Sequence, residues 1–337
     1  MHFLNQLGAG SVGLFFMITG LVFYPRVLAG LRATSWVTVY ISRVFRIIPL
    51  TAASFLLVTA IIILRTEPTV SGLFTILKYG NAAVHWISGW SESNVLGYPD
   101  SGRINSYVLW SLRYEWVFYL FLLPVCAGLM DVVRARQLPT WIVPVSLLVI
   151  SLAVSWSEIF GHFVMVEPKY FPLFAVGMLT HELQSRLSWR VAMTTPAMMA
   201  LAPASLLLGT VITPVPYTAS LPFFAFFFVS VACGNSLGGL LRGRGALVLG
   251  ECSFGIYLLH GILLDVLFTD AETLISQLAL TTIVWAIVPA MALVLLVTAA
   301  THFLIERPGM RAGRQISRWI AEPGRALHKR TVKTVSS

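Results

Sequence analysis

Residues 47–64 read IIPLTAASFLLVTAIIIL and contain no charged side chain. A helix needs about 20 mostly apolar residues to cross the hydrocarbon core of a bilayer, and this run is close to that length. The whole chain has the same character, because 57% of its 337 residues are hydrophobic and only 11% are charged. A soluble domain carries about 25% charged residues on a surface that faces water. The sequence therefore predicts an integral membrane protein.

Other apolar stretches of similar length occur along the chain, before and after this one. The candidate spans are about 8–24, 47–64, 107–130, 141–157, 169–183, 196–213, 217–234, 252–269 and 279–304. The predicted fold is all-α, a polytopic transmembrane helical bundle of about nine spans. We expect a membrane domain over residues 1–306 and a basic cytoplasmic tail over 307–337. Between the second and third spans, a weakly apolar half favours a re-entrant or interfacial helix and a polar half favours a loop.

The lysines and arginines indicate how these spans are oriented. If the N-terminus lies outside and the spans alternate, most of the 23 basic residues fall in inner segments, and every inner segment is basic. The net charge of +9 then reflects topology and contact with lipid headgroups, which argues against nucleic acid as a partner. The expected location is the cell (inner or plasma) membrane, multi-pass, with a cytoplasmic C-terminus. Only Met1 to Leu7 would precede the first span outside, so we expect a further helix upstream.

Few ionisable residues lie inside the predicted spans, where they are costly and mark function or pairing. Arg113 and Glu115 stand two positions apart, so they point to different faces of one helix and each needs a partner elsewhere. For Glu115, a structural ion pair with an arginine and a catalytic or substrate-orienting role both stay open. His260 lies mid-span with Asp265 nearer the outer end, and it is either a hydrogen-bonded packing residue or a base.

A pair of arginines marks the inner edge of the second span. Arg43 and Arg46 are three residues apart, which places both guanidinium groups on one face of a helix. Arginine suits phosphate binding, and the alternative is ordinary anchoring on the basic side of the membrane. The seven histidines show none of the spacings HxxxH, HxxH or HExxH, so we expect no metal site. The three cysteines are expected to be small buried residues rather than disulfides.

Six short motifs lie along the chain, and in order they are GSVGLFFMITGLVF, ISRVFRIIP, LWSLRYEWVFYL, FPLFAVGML, LGECSFGIYLLHGILL and FLIERP. With these motifs in this order, the chain resembles, nearly from end to end, the acyltransferase 3 family of membrane O-acyltransferases. Glu115 and His260 stand at the glutamate of the third motif and the histidine of the fifth. Thr19 stands in the first motif where serine is usual. Each motif is weak, and the six in order are specific.

The resemblance implies a reaction as well as a fold. Family members typically have ten helices and transfer an acyl group, commonly acetyl, from acyl-coenzyme A to a hydroxyl of a cell-surface or secreted carbohydrate. Arg43 and Arg46 would bind the phosphates of acyl-coenzyme A, and no cofactor would be permanently bound. His2 falls where the family has its catalytic histidine, His260 is the second candidate for the base, and Glu115 would orient the base or the sugar. The implied partners are the lipid bilayer, acyl-coenzyme A and a carbohydrate or glycolipid acceptor.

Two other classes of function stay open. The family's first helix carries a basic residue about ten positions before the histidine, and that position would lie upstream of Met1. We therefore expect a start codon assigned too late or a truncated gene, and an inactive N-terminally truncated acyltransferase is one alternative. The other is a transporter or flippase that uses Glu115, His260 and Asp265 as proton-relay or substrate-contact groups, although the sequence shows no inverted repeat.

Overall fold

A computed structural model of the chain describes the backbone of residues 2–66, 72–90, 94–157, 166–212, 219–269 and 280–321. Side chains are described over the same ranges except at 2–7, 280–284 and 321. Every regular element in these ranges is helical, which confirms the predicted all-α class. The elements divide into two compact units: Met1–Thr34 with Tyr114–Leu247, and Ser35–Arg113 with Val248–Ser337.

The helices are numbered here in chain order. They are α1 (His2–Ala29), α2 (Trp36–Thr66), α3 (Gly72–Ser88), α4 (Trp110–Val117), α5 (Leu123–Ala135), α6 (Ile142–Ser157), α7 (Phe171–Gln184), α8 (Leu187–Met193), α9 (Pro196–Ile212), α10 (Leu221–Ala232), α11 (Arg244–Thr269), α12 (Leu280–Thr301) and α13 (Arg307–Ala321). A π turn at Phe118–Leu122 joins α4 to α5, and another at His302–Glu306 joins α12 to α13. Such turns are rare and frequently mark functional sites.

Several of these helices are long and apolar enough to cross a membrane. Within the described ranges they are Gly8–Ala29, Trp36–Thr66, Trp110–Ala135, Arg244–Thr269 and Trp285–Ile320. Helices α8 and α9 form a further candidate that is bent by 79°, and Ile142–Trp156 and Leu221–Ala232 are shorter apolar helices. Each predicted span overlaps a helix, so the protein is a multi-pass membrane helical bundle. The count of nine spans stays a prediction.

In the first unit, two motif glycines allow α1 and α7 to pack with their backbones almost in contact. A Cβ atom added to Gly20 would overlap the carbonyl oxygen of Phe174, and one added to Gly177 would overlap the carbonyl oxygen of Met17. Small residues of this kind let membrane helices approach closely. Gly20 of the first motif and Gly177 of the fourth motif are therefore packing residues, and their match to the family motifs is explained by helix packing and needs no catalytic role.

In the second unit, α2 begins at Trp36, so the helix continues N-terminally beyond the predicted second span at 47–64, through a half that carries Arg43 and Arg46. The reason is tertiary packing, because α13 lies along this polar half of α2. Gly309 and Gly313 face Phe45, where an added Cβ atom would come within 2.8 Å of the Phe45 carbonyl oxygen and 2.7 Å of its Cβ atom, respectively. Arg43 and Arg46 consequently lie within a helix–helix contact region.

The helix from Trp285 to Ile320 has 36 residues. At 1.5 Å per residue it is about 54 Å long, which exceeds the hydrocarbon core of about 30 Å. If its apolar part spans the core, then α13 extends beyond it. The first part of the predicted basic tail is thus helical, and its contact with lipid headgroups stays a prediction.

The connection after α2 contains α3, so its weakly apolar half is helical, and a re-entrant or interfacial position for this helix stays a prediction. The polar half folds into 3₁₀ turns at Val95–Gly97 and Ser101–Asn105. Although polar, the second turn is buried, and Asn105 is 0% exposed. The turn packs closely against α11 at Gly261, where an added Cβ atom would lie 2.7 Å from the carbonyl carbon of Asn105. The loop is thus part of the core of this unit.

Candidate functional site

Glu115 lies in α4 within the first unit and is buried. The hydroxyl of Tyr119, one turn later, donates a hydrogen bond to its Oε2 atom at 3.1 Å. Tyr119 belongs to the π turn that follows α4, so the turn places this hydroxyl against the carboxylate. The contact holds one carboxylate oxygen in place, and the catalytic or orienting role of Glu115 stays a prediction.

Arg113 precedes the first-unit part of α4, and it and its main-chain partners all belong to the second unit. Its Nε atom donates to the Gly89 carbonyl at 3.1 Å, and one Nη atom donates to the Trp90 carbonyl at 2.6 Å. The guanidinium also lies 5.4 Å from the centre of the Trp90 ring. Because carbonyl groups near a helix end need donors, Arg113 fastens the C-terminal end of α3 to α4. These contacts of Arg113 stabilise the fold.

His260 lies in α11 and is half-buried. Its Nδ1 atom is 2.8 Å from the carbonyl oxygen of Tyr257 and 3.1 Å from that of Ile256. Carbonyl oxygens only accept hydrogen bonds, so Nδ1 carries the proton and the lone pair is on Nε2. A histidine held in this tautomer is able to accept a proton from a substrate through Nε2. The geometry meets the requirement for a base and does not by itself assign that role.

Asp265, which the transporter alternative would use, is engaged in an ion pair. Its Oδ2 atom is 2.6 Å from Nη1 of Arg65, near the C-terminal ends of α11 and α2, and both side chains are largely buried. The Thr269 hydroxyl donates to the other carboxylate oxygen at 3.1 Å. A buried pair of this kind ties two helices together, because either charge alone is costly in such a place.

A cleft lined by four arginines and four other residues lies in the second unit, where α13 meets α2 and the start of α11. Its volume is about 330 Å³, and we call it the basic cleft. Its lining residues are Arg46, Gly250, Glu251, His302, Arg307, Met310, Arg311 and Arg314. Four guanidinium groups face one exposed carboxylate there, so the cleft has an excess of positive charge. Such a cleft suits a ligand with several negative charges.

Arg307 is held at the wall of this cleft by two neighbours. One Nη atom donates to Oε2 of Glu251 at 2.9 Å, and Nε donates to Nε2 of His302 at 3.2 Å. Because Nε2 of His302 accepts, its ring proton is on Nδ1, which lies 3.3 Å from Oε2 of the buried Glu306. The chain from Glu306 through His302 thus orients the Arg307 guanidinium before any ligand arrives.

The structure separates the two arginines that the sequence paired. Arg46 lines the basic cleft, with its Nη1 atom 4.0 Å from the sulfur of Met310. Arg43 is half-buried one turn earlier and is not part of the lining. The side chain of His2 lies outside the described residues, so its predicted role is neither supported nor opposed by the geometry.

Sequence reasoning missed most of the basic cleft. Arg307, Arg311 and Arg314 were assigned to a tail, and His302 was not singled out. The signal was present in the spacing, because positions i, i+4 and i+7 share one face of a helix. What the sequence did not show is that this face meets α2 and α11.

The comparisons with known proteins point to one family. The model of the acyltransferase domain of the acyltransferase 3 family matches residues 1–303. This range contains five of the six sequence motifs in full and reaches the first residue of the sixth. No curated protein and no solved structure matches the chain.

Proposed function

Because the chain belongs to the acyltransferase 3 family and is a membrane acyltransferase, we propose that it transfers an acetyl group from acetyl-coenzyme A to a hydroxyl of a cell-surface or secreted carbohydrate. The observation that carries the proposal is the basic cleft, which offers four arginine side chains to a polyanionic donor. Coenzyme A has a 3′-phosphate and a pyrophosphate at one end of the molecule, and both are ligands that arginine binds well.

The placement of the cleft fits entry of the donor from the cytoplasm. It involves α13 and the N-terminal half of α2, which are the basic ends of their long helices. Basic residues gather on the cytoplasmic side of membrane proteins. In this proposal the phosphates stay in the cleft, and the thioester reaches into the membrane domain, while the acceptor comes from the outer side.

Acyl transfer to a hydroxyl needs a base. The hydroxyl oxygen attacks the thioester carbonyl carbon, a histidine takes the hydroxyl proton, and the carbon–sulfur bond breaks. The sulfur leaves as a thiolate and recovers that proton, so the products are an ester and free coenzyme A. By family resemblance the base is His2, and His260 is the second candidate, with its Nε2 lone pair available. Glu115 orients the base or the sugar.

The donor assignment is tested by removing one phosphate from the donor. Acetyl-coenzyme A and its 3′-dephospho form are compared as donors for membranes that contain the chain, with release of the free thiol as the readout. Since a charge-assisted contact contributes about 1.5–3 kcal/mol, we expect KM to rise about 10- to 100-fold without the 3′-phosphate. Equal KM values for the two donors would contradict a phosphate site in the basic cleft.

A further inference from the structure

The side-chain amide of Asn105 is buried and has no partner in the part of the chain that the structure describes. It is 0% exposed, and neither Oδ1 nor Nδ2 has a hydrogen-bond partner among the residues that the structure describes. Buried polar side chains nearly always have partners, because an unmade hydrogen bond in the interior is costly. An exception therefore needs an explanation, and one explanation is a bound ligand that makes hydrogen bonds to Oδ1 and Nδ2.

The surroundings of Asn105 show that its position is fixed. The next two residues, Ser106 and Tyr107, have φ angles of 50° and 51°, in the left-handed region that non-glycine residues rarely adopt. Their main-chain amides donate to the carbonyls of Arg103 and Gly102 at 3.0 Å each, and the Val108 amide donates to the carbonyl of Asn105 at 3.3 Å. These main-chain groups, including the carbonyl of Asn105, are thus paired within the turn and its continuation.

The turn that carries Asn105 is fastened to the part of α11 that carries His260. The Tyr257 hydroxyl donates to the Val108 carbonyl at 2.7 Å. One helical turn later, Gly261 has no side chain where the turn passes, and an added Cβ atom would lie 2.5 Å from the Ser106 hydroxyl oxygen. His260 stands between these two contacts in the chain, so the unpaired amide and the candidate histidine belong to one packed region.

We propose that Asn105 is a substrate-contacting residue for the hydroxylated acceptor. With no partner among the described residues, the amide offers one acceptor and one pair of donors, and neighbouring hydroxyl groups of a sugar supply the matching donor and acceptor. The proposal rests on the proposed function, which supplies the acyl donor and the reaction. It adds that the acceptor is recognised inside the second unit, at the turn Ser101–Asn105, by a side chain that no motif contains.

The test compares Asn105→Leu with Asn235→Leu. Asn235 is equally buried but satisfied, because its Nδ2 donates to the Met198 carbonyl at 2.9 Å and its Oδ1 accepts from the Leu237 amide at 3.0 Å. Leucine has nearly the shape of asparagine. We expect Asn235→Leu to lower the melting temperature of the purified chain, and Asn105→Leu to leave it unchanged or raise it, since no hydrogen bond within the protein is lost.

The second readout is transfer. Cells that express each variant are assayed for base-labile acetate on total envelope carbohydrate, and acetyl-coenzyme A binding to the purified chain is measured by calorimetry. We expect Asn105→Leu to lower transfer about 10- to 100-fold and leave the donor Kd within about two-fold of wild type. Asn105→Ala, which adds no bulk, is expected to behave in the same way.

Three results would overturn the inference. For Asn105→Leu they are a loss of stability as large as that of Asn235→Leu, unchanged transfer of acetate, and weaker binding of acetyl-coenzyme A. The last result would mean that the amide contacts the pantetheine arm of the donor and not the acceptor. If the wild-type chain itself transfers no acetate, the proposed function fails, and the assignment of Asn105 fails with it.

Discussion

His2→Ala is expected to lower acetyl transfer by about 10²- to 10⁴-fold, which is the usual contribution of a general base. The reason is that the acceptor hydroxyl keeps its proton when no base is placed beside it, so attack on the thioester becomes slow. The donor Kd is expected to stay at the wild-type value, because the proposed function places the phosphates in the basic cleft. The measurement is the initial rate of thiol release at saturating donor.

His260→Ala is the companion experiment. With His2 as the base, we expect His260→Ala to retain more activity than His2→Ala, and His181→Ala in α7 to stay near wild type because that ring packs edge-on beside Tyr24 in the first unit. Wild-type turnover after His2→Ala, combined with a loss of about 10²-fold or more after His260→Ala, would assign the base to His260. Its Nε2 lone pair makes that outcome chemically reasonable.

Replacing Arg46 and Arg307 together by alanine is expected to raise the KM for acetyl-coenzyme A by about 10²- to 10⁴-fold. In the proposed function each side chain contributes a charge-assisted contact of about 1.5–3 kcal/mol to a phosphate, and both line the basic cleft. The rate at saturating donor is expected to change much less, because the phosphates lie far from the reacting bond in this proposal. The measurement is turnover as a function of donor concentration.

Arg43→Ala is the matched control for this pair. It removes the same charge one turn away on α2, at a position outside the lining of the cleft. General attraction of an anion by the basic side of the membrane would make Arg43 and Arg46 equivalent. A specific phosphate site makes Arg46→Ala clearly more harmful at low donor concentration. Equal effects of the two single variants would therefore contradict the site.

The helices were predictable because each one depends on local composition. Runs of apolar residues such as 47–64 identify membrane helices without any knowledge of tertiary contacts. The N-terminal extension of α2 was not predictable in this way, because its polar residues are ordered by α13 through Phe45 and the glycines Gly309 and Gly313. The partner lies more than 200 positions away in the sequence.

The candidate site was predictable only in part. Arg46 was identified from its spacing to Arg43, but spacing did not show which of the two faces a cleft. Arg307 was assigned to topology, because a basic residue after the last apolar run is explained equally well by contact with lipid headgroups. Its role in the cleft depends on Glu251 and His302, and these contacts exist only in the folded chain.

The burial of Asn105 was also not predictable from the sequence. A polar loop residue is expected to face water, and its burial follows from the space that Gly261 leaves on α11. No pattern in the loop itself reveals that space. Gly261 belongs to the motif around His260 and was visible in the sequence, whereas its contact with the turn of Asn105 is visible only in the folded chain.

The central claim is transfer of an acyl group from acyl-coenzyme A to a carbohydrate hydroxyl. The most direct measurement follows acetyl-coenzyme A labelled in the acetyl group, given to the cytoplasmic side of vesicles that contain the chain and envelope carbohydrate on the opposite side. We predict that label appears on the carbohydrate as a base-labile ester, with one free thiol released for each ester formed. Movement of label or carbohydrate across the membrane without ester formation would contradict the account.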